Sequence, residues 1–67
     1  MSASQYVYLE DCRVLRETDA AFLVDYDGDE LWLPRSQVAD ADDLTVSNEP
    51  RTIGITEWIA KQKGIET

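Results

Sequence analysis

The Asp27-Gly28 pair is the feature that most constrains how this chain folds. It separates two apolar segments, AAFLVDY at 20–26 and ELWLP at 30–34. Asp-Gly between alternating apolar residues is the strongest short-range signal for a β-hairpin, because the turn needs positive φ angles that glycine adopts at little cost. A two-residue loop fixes the register. It predicts the cross-strand pairs Phe22–Leu33 and Val24–Leu31 on one face and Leu23–Trp32 on the opposite face.

Other regions of the chain are also rich in residues that favour strands. YVYLEDCRVLRET at 6–18 carries aromatic and β-branched side chains, and its acidic pair at 10–11 predicts a bend or bulge in one long strand. Pro34 ends the hairpin, and RSQVADADD after it predicts a turn or one helical turn. LTV at 44–46 and RTIGI at 51–55 are interpreted as two short strands joined by the turn SNEP.

The last segment of the chain changes to a helical period. Ile55, Trp58 and Ile59 lie at helical spacing, Thr56 is a good N-cap, and Gly64 suits the position just beyond the helix. Such a short helix is not stable alone. We therefore expect Trp58 and Ile59 to pack onto the strands.

Five short strands and one C-terminal helix predict a mainly β fold, a small open barrel of the SH3 or OB type. A barrel suits a chain of 67 residues because closure removes most exposed strand edges. The length predicts one domain over residues 1–67, with residues 1–4 as a loose terminus.

The charge of the chain is concentrated in its middle. The formal net charge is -8, and between Glu17 and Glu49 there are ten acids and one base, Arg35. Phosphate binding needs Lys and Arg, so this field disfavours nucleic acid and anionic lipid as direct partners. It favours a basic protein surface.

The acids near the hairpin form a candidate binding face for such a partner. Side chains two apart on a strand share a face, so the acids beside the turn can start a row of negative charge. Trp and Arg are enriched at the energetic centres of protein interfaces. The predicted partner-binding residues are Asp25, Asp27, Asp29, Glu30, Asp40, Asp42, Asp43, Trp32 and Arg35.

Each assignment has a structural alternative. The acids can be a solvated surface that keeps the chain soluble. Arg35 can pair with nearby carboxylates, and Trp32 and Trp58 are expected more often as core anchors than as ligand platforms. A further alternative is an exposed aromatic face that stacks nucleic-acid bases, formed by Tyr6, Tyr8, Phe22, Tyr26 and Trp32.

The residue inventory disfavours catalysis and bound metal. The chain has no His, the commonest general base, and Cys12 has no evident base to activate it. DYDGDE looks like part of a calcium loop, but Gly28 is fourth from Asp25 rather than sixth, and Ser36 stands where the loop needs Glu. We expect a non-enzymatic protein with no cofactor and no metal site.

The single Cys12 excludes an intramolecular disulfide and fits a reducing compartment. No apolar run is long enough to span a membrane. The sequence therefore predicts a cytoplasmic protein.

Two motifs resemble small proteins encoded by phages and prophages. In the first, an Asp-Gly hairpin precedes Trp-Ile/Leu-Pro-Lys/Arg-Ser-Gln, which is WLPRSQ at 32–37 here. The second is a terminal Glu-Trp-x-Ala…Lys-Gly helix, which is EWIA at 57–60 and KG at 63–64. The resemblance implies a phage or mobile-element protein in the bacterial cytoplasm. Its size and acidity are similar to those of small phage inhibitors of host defence complexes, anti-CRISPR proteins among them.

Two functions of different classes follow. The first is a non-enzymatic binding protein that docks on a basic surface of a host protein or nucleoprotein complex and inhibits it, as an anti-CRISPR protein does. The alternative is an accessory protein of phage DNA replication or recombination that contacts single-stranded nucleic acid or its binding proteins. A virion assembly component and a homodimer stay open as further possibilities.

Overall fold

Four antiparallel strands and one short helix make up the fold. The computed structural model describes residues 5–65, so the expected loose terminus at 1–4 lies outside the described residues. The strands are β1 (Tyr6–Glu17), β2 (Ala21–Tyr26), β3 (Asp29–Pro34) and β4 (Ser47–Thr56), followed by the helix α1 (Glu57–Gln62). They form one open sheet in the order β3-β2-β1-β4. The mainly β prediction is confirmed, but the described residues contain four strands rather than five.

The β2–β3 hairpin has the predicted register. Phe22 lies opposite Leu33, Leu23 opposite Trp32 and Val24 opposite Leu31. Asp27 and Gly28 are the two loop residues, with φ angles of 53° and 84°. Both angles are positive, as a type I′ turn requires, and the twist of this turn matches the right-handed twist of the two strands.

A bulge interrupts β1 where the acidic pair was expected to break it. Leu9 pairs with Ile53 and Cys12 with Arg51, so β1 has one more residue than β4 between these pairs. Asp11 takes a left-handed φ of 60° at this point. The extra residue lets Leu9 and Cys12, three positions apart, both face the core, which an unbroken strand with a two-residue period does not allow.

The segment before β4 differs from the prediction. Residues 44–46 are not a strand, and the expected turn at 47–50 is the first part of β4. Val14 pairs with Ser47 while Cys12 pairs with Arg51, so several residues of β4 bulge out between these two pairs. Pro50 is tolerated there because a strand at the sheet edge has one side that needs no N–H donor. Leu44 instead lies in an irregular segment, and its side chain is buried in the core.

Two 3-10 turns connect β3 to the far edge of the sheet. They are Arg35–Gln37 and Ala41–Asp43, which agrees with the expected turn after Pro34. Between them the chain crosses to β4, where Val38 makes a bridge with Ile55 and the Ala39 N–H donates to the Gly54 carbonyl at 2.8 Å. This short contact lies at the edge of β4, and the four-stranded sheet stays open.

The helix closes one end of the core. Thr56 is its N-cap, as predicted, and its hydroxyl accepts a hydrogen bond from the Ile59 N–H at 3.3 Å. Gly64 has a φ of 75° just beyond the helix, also as predicted. Ile59 and Ala60 are buried. Among residues 5–65, no helix has both the length and the apolar character needed to span a membrane.

Trp58 does not pack onto the strands as expected, because 59% of its surface is exposed. The helix begins after Thr56, so Ile55 belongs to β4 and shares no helical face with Trp58. The buried face of α1 is formed by Ile59 and Ala60 instead.

Candidate functional site

The tip of the β2–β3 hairpin and the bulge of β1 bring six carboxylates together, and we call this group the acidic end. Strand pairing places Asp29 opposite Tyr26 and Glu30 opposite Asp25. An open groove of about 460 Å³ runs between the hairpin tip and the bulge, and both regions line it. The acidic end consists of Glu10, Asp11, Asp25, Asp27, Asp29 and Glu30.

A row of charged side chains crosses three strands at the acidic end. Asp25 on β2 lies opposite Arg13 on β1 and opposite Glu30 on β3. The Arg13 guanidinium donates to the Asn48 carbonyl at 2.9 Å, and no salt bridge joins it to Asp25 within the described part of the chain. Two carboxylates directly opposite each other repel and destabilise a sheet. The row therefore contains two acids and one base, so one negative charge has no counterpart within it.

The thiol of Cys12 responds to this negative field. Cys12 is fully buried beneath the bulge, and its thiol donates to the Leu9 carbonyl at 3.3 Å. Burial, together with repulsion from Asp11 and Asp25, raises the pKa of Cys12 from 9.0 to about 11. The thiol stays protonated at neutral pH, which suits a core residue and not a nucleophile.

The second group of predicted acids is separate from the first. Asp40, Asp42 and Asp43 are exposed around the second 3-10 turn. The Arg35 guanidinium donates both to the Ala41 carbonyl in this turn, at 3.5 Å, and to the Thr18 carbonyl just before β2. The turn therefore lies near the start of β2. The acidic end lies at the other end of β2, a six-residue strand that spans about 17 Å. The structure thus divides the predicted acids between two ends of the sheet.

Arg35 is held by contacts within the chain. Its guanidinium donates to a Glu17 carboxylate oxygen at 2.7 Å and to the Thr18 carbonyl at 3.1 Å. It also lies 4.5 Å from the centre of the Phe22 ring, within the range of a cation–π interaction. These contacts fasten the end of β3 to the turn between β1 and β2, and they match the structural alternative for Arg35.

Trp32 lies on the outer face of the sheet, with 45% of its surface exposed. Strand alternation turns its neighbours Leu31 and Leu33 toward the core, so Trp32 faces away from it and covers Leu23. The expectation that Trp32 and Trp58 are core anchors is therefore wrong. Phe22, from the predicted base-stacking set, is fully buried, whereas Tyr6 and Tyr8 are exposed.

Sequence reasoning missed Glu10 and Asp11 as members of the site. Their sequence predicts the bend in β1, but nothing local indicates that the bend lies beside the hairpin tip. The signal was the register itself, because Arg13 opposite Asp25 brings the preceding residues level with the turn. Among residues 5–65, no group of three or more carboxylate or thiol side chains is arranged to hold a metal ion.

No known protein family matches the chain, and neither the curated proteins nor the solved structures include one with significant similarity to it.

Proposed function

We propose that this chain is an acidic, non-enzymatic binding protein of a phage or mobile element that docks its acidic end on a basic surface of a host protein complex. One observation carries the proposal. Asp25 and Glu30 lie directly opposite each other, and neither forms a salt bridge with a described base. Such a pair weakens the isolated sheet by roughly 0.2–1 kcal/mol, and a positively charged partner relieves that repulsion on binding.

The size of the acidic end suits a basic groove that otherwise holds nucleic acid. DNA presents about one negative charge per 1.7 Å of its axis. Four carboxylates and Arg13 line the groove, and Asp29 and Glu30 lie beside it on β3, so the acidic end imitates a short stretch of that field. A protein that occupies such a groove competes with the nucleic acid for it. Inhibition of a bacterial defence complex in the host cytoplasm, as by an anti-CRISPR protein, is the form of this function that we propose.

The chain offers two matched sets of acids for the test. The first variant carries Asp25→Asn, Asp29→Asn and Glu30→Gln at the acidic end. The second carries Asp40→Asn, Asp42→Asn and Asp43→Asn and changes the net charge by the same amount. Each variant is used to capture proteins from a bacterial lysate, with identification by mass spectrometry and washes at rising ionic strength.

We expect the first variant to lose the captured partner and the second to keep it. Capture by the natural chain weakens steeply as salt rises, because exposed charges are screened beyond about 10 Å at 0.1 M salt. Equal loss of capture in both variants shows that only the net charge of the chain matters. Unchanged capture by the first variant rejects the acidic end as the docking site.

The exposed aromatic side chains favour a second candidate, an accessory protein of phage DNA replication or recombination. Tyr6 and Tyr8 are 42% and 64% exposed on β1, and bases stack on such rings whatever their sequence. A titration with single-stranded oligonucleotide at low salt tests direct contact. Binding that disappears in a Tyr8→Ala variant supports this candidate, and no binding at low salt rejects it.

A further inference from the structure

Among residues 5–65, the outer edge of β3 has no strand partner, and Pro34 at its end is the one position there without an N–H. β3 is the last strand in the sheet order, and all six of its residues pair with β2 in an unbroken register. Within residues 5–65, no backbone hydrogen bond reaches this edge from another segment. Sheet edges of this kind bind an added strand unless proline, lysine, a bulge or a covering segment protects them.

The register determines which backbone groups face outward from β3. In a hairpin with a two-residue loop, the residues that flank the loop form a hydrogen-bonded pair, and such pairs then alternate along the ladder. Asp29, Leu31 and Leu33 therefore bond to β2, and the Arg35 N–H continues this side with a bond to the Ala20 carbonyl at 2.7 Å. The N–H and C=O groups of Glu30 and Trp32 point away from the sheet, and at Pro34 only the C=O does, because proline has no N–H.

The opposite edge of the sheet is protected. Val38 and Ala39 cover the end of β4 through the bridge to Ile55 and the bond to Gly54. The rest of β4 is irregular and contains Pro50, which has no N–H. Within the described part of the chain, the regular edge of β3 therefore has no strand partner, and that edge starts at the acidic end.

We infer that the free edge of β3 accepts an extended segment of the partner protein as an added antiparallel strand. This inference rests on the proposed function and states how the acidic end holds its partner. The added strand places a lysine or arginine opposite Glu30, where it extends the row that contains Asp25. The residue two positions away lies opposite Trp32, whose exposed indole also attracts a cation.

Charge identifies the occupant as a basic partner rather than a second copy of this chain. Two copies of β3 would bring Asp29 and Glu30 of each copy into one small sheet, on chains that each carry a net charge of -8. Like charges on neighbouring strands repel. A basic strand has the opposite effect, and its apolar residues turn toward the core side, beside the half-buried Leu31.

The probe is an eight-residue peptide of alternating lysine and valine with blocked ends, added to isotope-labelled protein at low salt. We expect amide hydrogen exchange to slow at Glu30 and Trp32, while Leu31 and Leu33, already bonded to β2, change little. A peptide with glutamate in place of lysine does not bind. The Glu30→Gln variant binds the lysine peptide about two- to five-fold more weakly, and the matched Glu49→Gln variant on β4 binds normally.

N-methylated peptides test the backbone contact without altering the protein. The lysine opposite Glu30 exchanges two backbone hydrogen bonds with it. Methylation of the backbone nitrogens of the lysine residues therefore weakens binding at least about ten-fold, whereas methylation of the backbone nitrogens of the valine residues does not. Equal binding of the two methylated peptides, with no slowing of amide exchange at Glu30 and Trp32, overturns the added strand. The proposed function still stands in that case if the acidic-end variant binds the lysine peptide more weakly than the natural chain does.

Two further outcomes also decide the matter. If neither the peptide nor polylysine binds at low salt, the proposed function and the added strand both fail. If the amides of Glu30 and Trp32 become protected as the concentration of the protein alone rises, a second copy occupies the edge, and the basic partner is rejected.

Discussion

The β2–β3 hairpin and the β1–β4 ladder are built in opposite ways. The hairpin pairs six residues with six in one register around a two-residue turn. The ladder joins residues far apart in the chain, such as Tyr6 and Thr56, and its register shifts twice, after Leu9 and after Cys12. The difference shows that regular pairing gives β3 its straight edge, while irregular pairing produces the bulge in β1 that contains Glu10 and Asp11.

The largest expected effect tests the core beneath the hairpin. Phe22→Ala removes a fully buried ring that also lies under the Arg35 guanidinium, so we expect the free energy of unfolding to fall by about 3–5 kcal/mol. Urea unfolding followed by circular dichroism measures it. If this variant does not fold, Phe22→Leu gives a measurable smaller loss, and a loss near zero for Phe22→Leu shows that the hairpin core is loosely packed.

The next effect tests the close packing of the ladder. A β-carbon at Gly54 would lie 2.8 Å from Cε1 of Tyr8 and 3.2 Å from Cβ of Ala39. We expect Gly54→Ala to lower the free energy of unfolding by about 1–3 kcal/mol, as over-packed sites do. Tyr8 is exposed and its ring can move, so the same change costs less in a Tyr8→Ala background. Equal costs in both backgrounds assign the strain to Ala39.

A smaller effect compares one left-handed position from each region. Gly28 and Asp11 have φ angles of 84° and 60°. We expect Gly28→Ala to lower the free energy of unfolding by about 1–2 kcal/mol, because a β-carbon is strained there. Asp11→Ala is expected to cost about 0.5–1 kcal/mol, since Asp already tolerates this conformation better than Ala, and Asp11→Asn serves as the control with little change. A larger cost at Asp11 than at Gly28 reverses the comparison.

The smallest effect at neutral pH concerns Cys12 beneath the bulge. Its pKa is raised in the folded chain, from 9.0 to about 11, so its contribution to stability is complete below pH 9 and is lost as the pH rises toward 11. We expect the free energy of unfolding of the natural chain to fall more steeply over this range than that of a Cys12→Ala variant. Parallel curves for the two proteins contradict the raised pKa.

The hairpin was predictable in detail because its information is local. Asp27-Gly28 determines the turn, the turn determines the register, and alternation then assigns Phe22 and Leu33 to one face. The helix was predictable at its ends for the same reason, since Thr56 and Gly64 act within one turn of the backbone. The exposure of Trp58 was not predictable in this way, because it depends on where β4 ends and which helical face meets the core.

The division of the acids was also beyond a local reading. Asp40, Asp42 and Asp43 are close in sequence to the hairpin acids, yet the chain turns back at Arg35 and carries them to the far end of β2. Glu10 and Asp11 are distant in sequence and lie at the acidic end, because β1 pairs with β2.

Taken alone, the sequence determined the hairpin with its register, the bend in β1, the capped helix and the excess of negative charge, since each depends on neighbours within a few residues. The tertiary structure decided which acids share a surface, which tryptophans stay outside and which strand edge is left open. Those outcomes depend on pairing between segments far apart in the chain, where one extra residue at a bulge changes which side chains face the core.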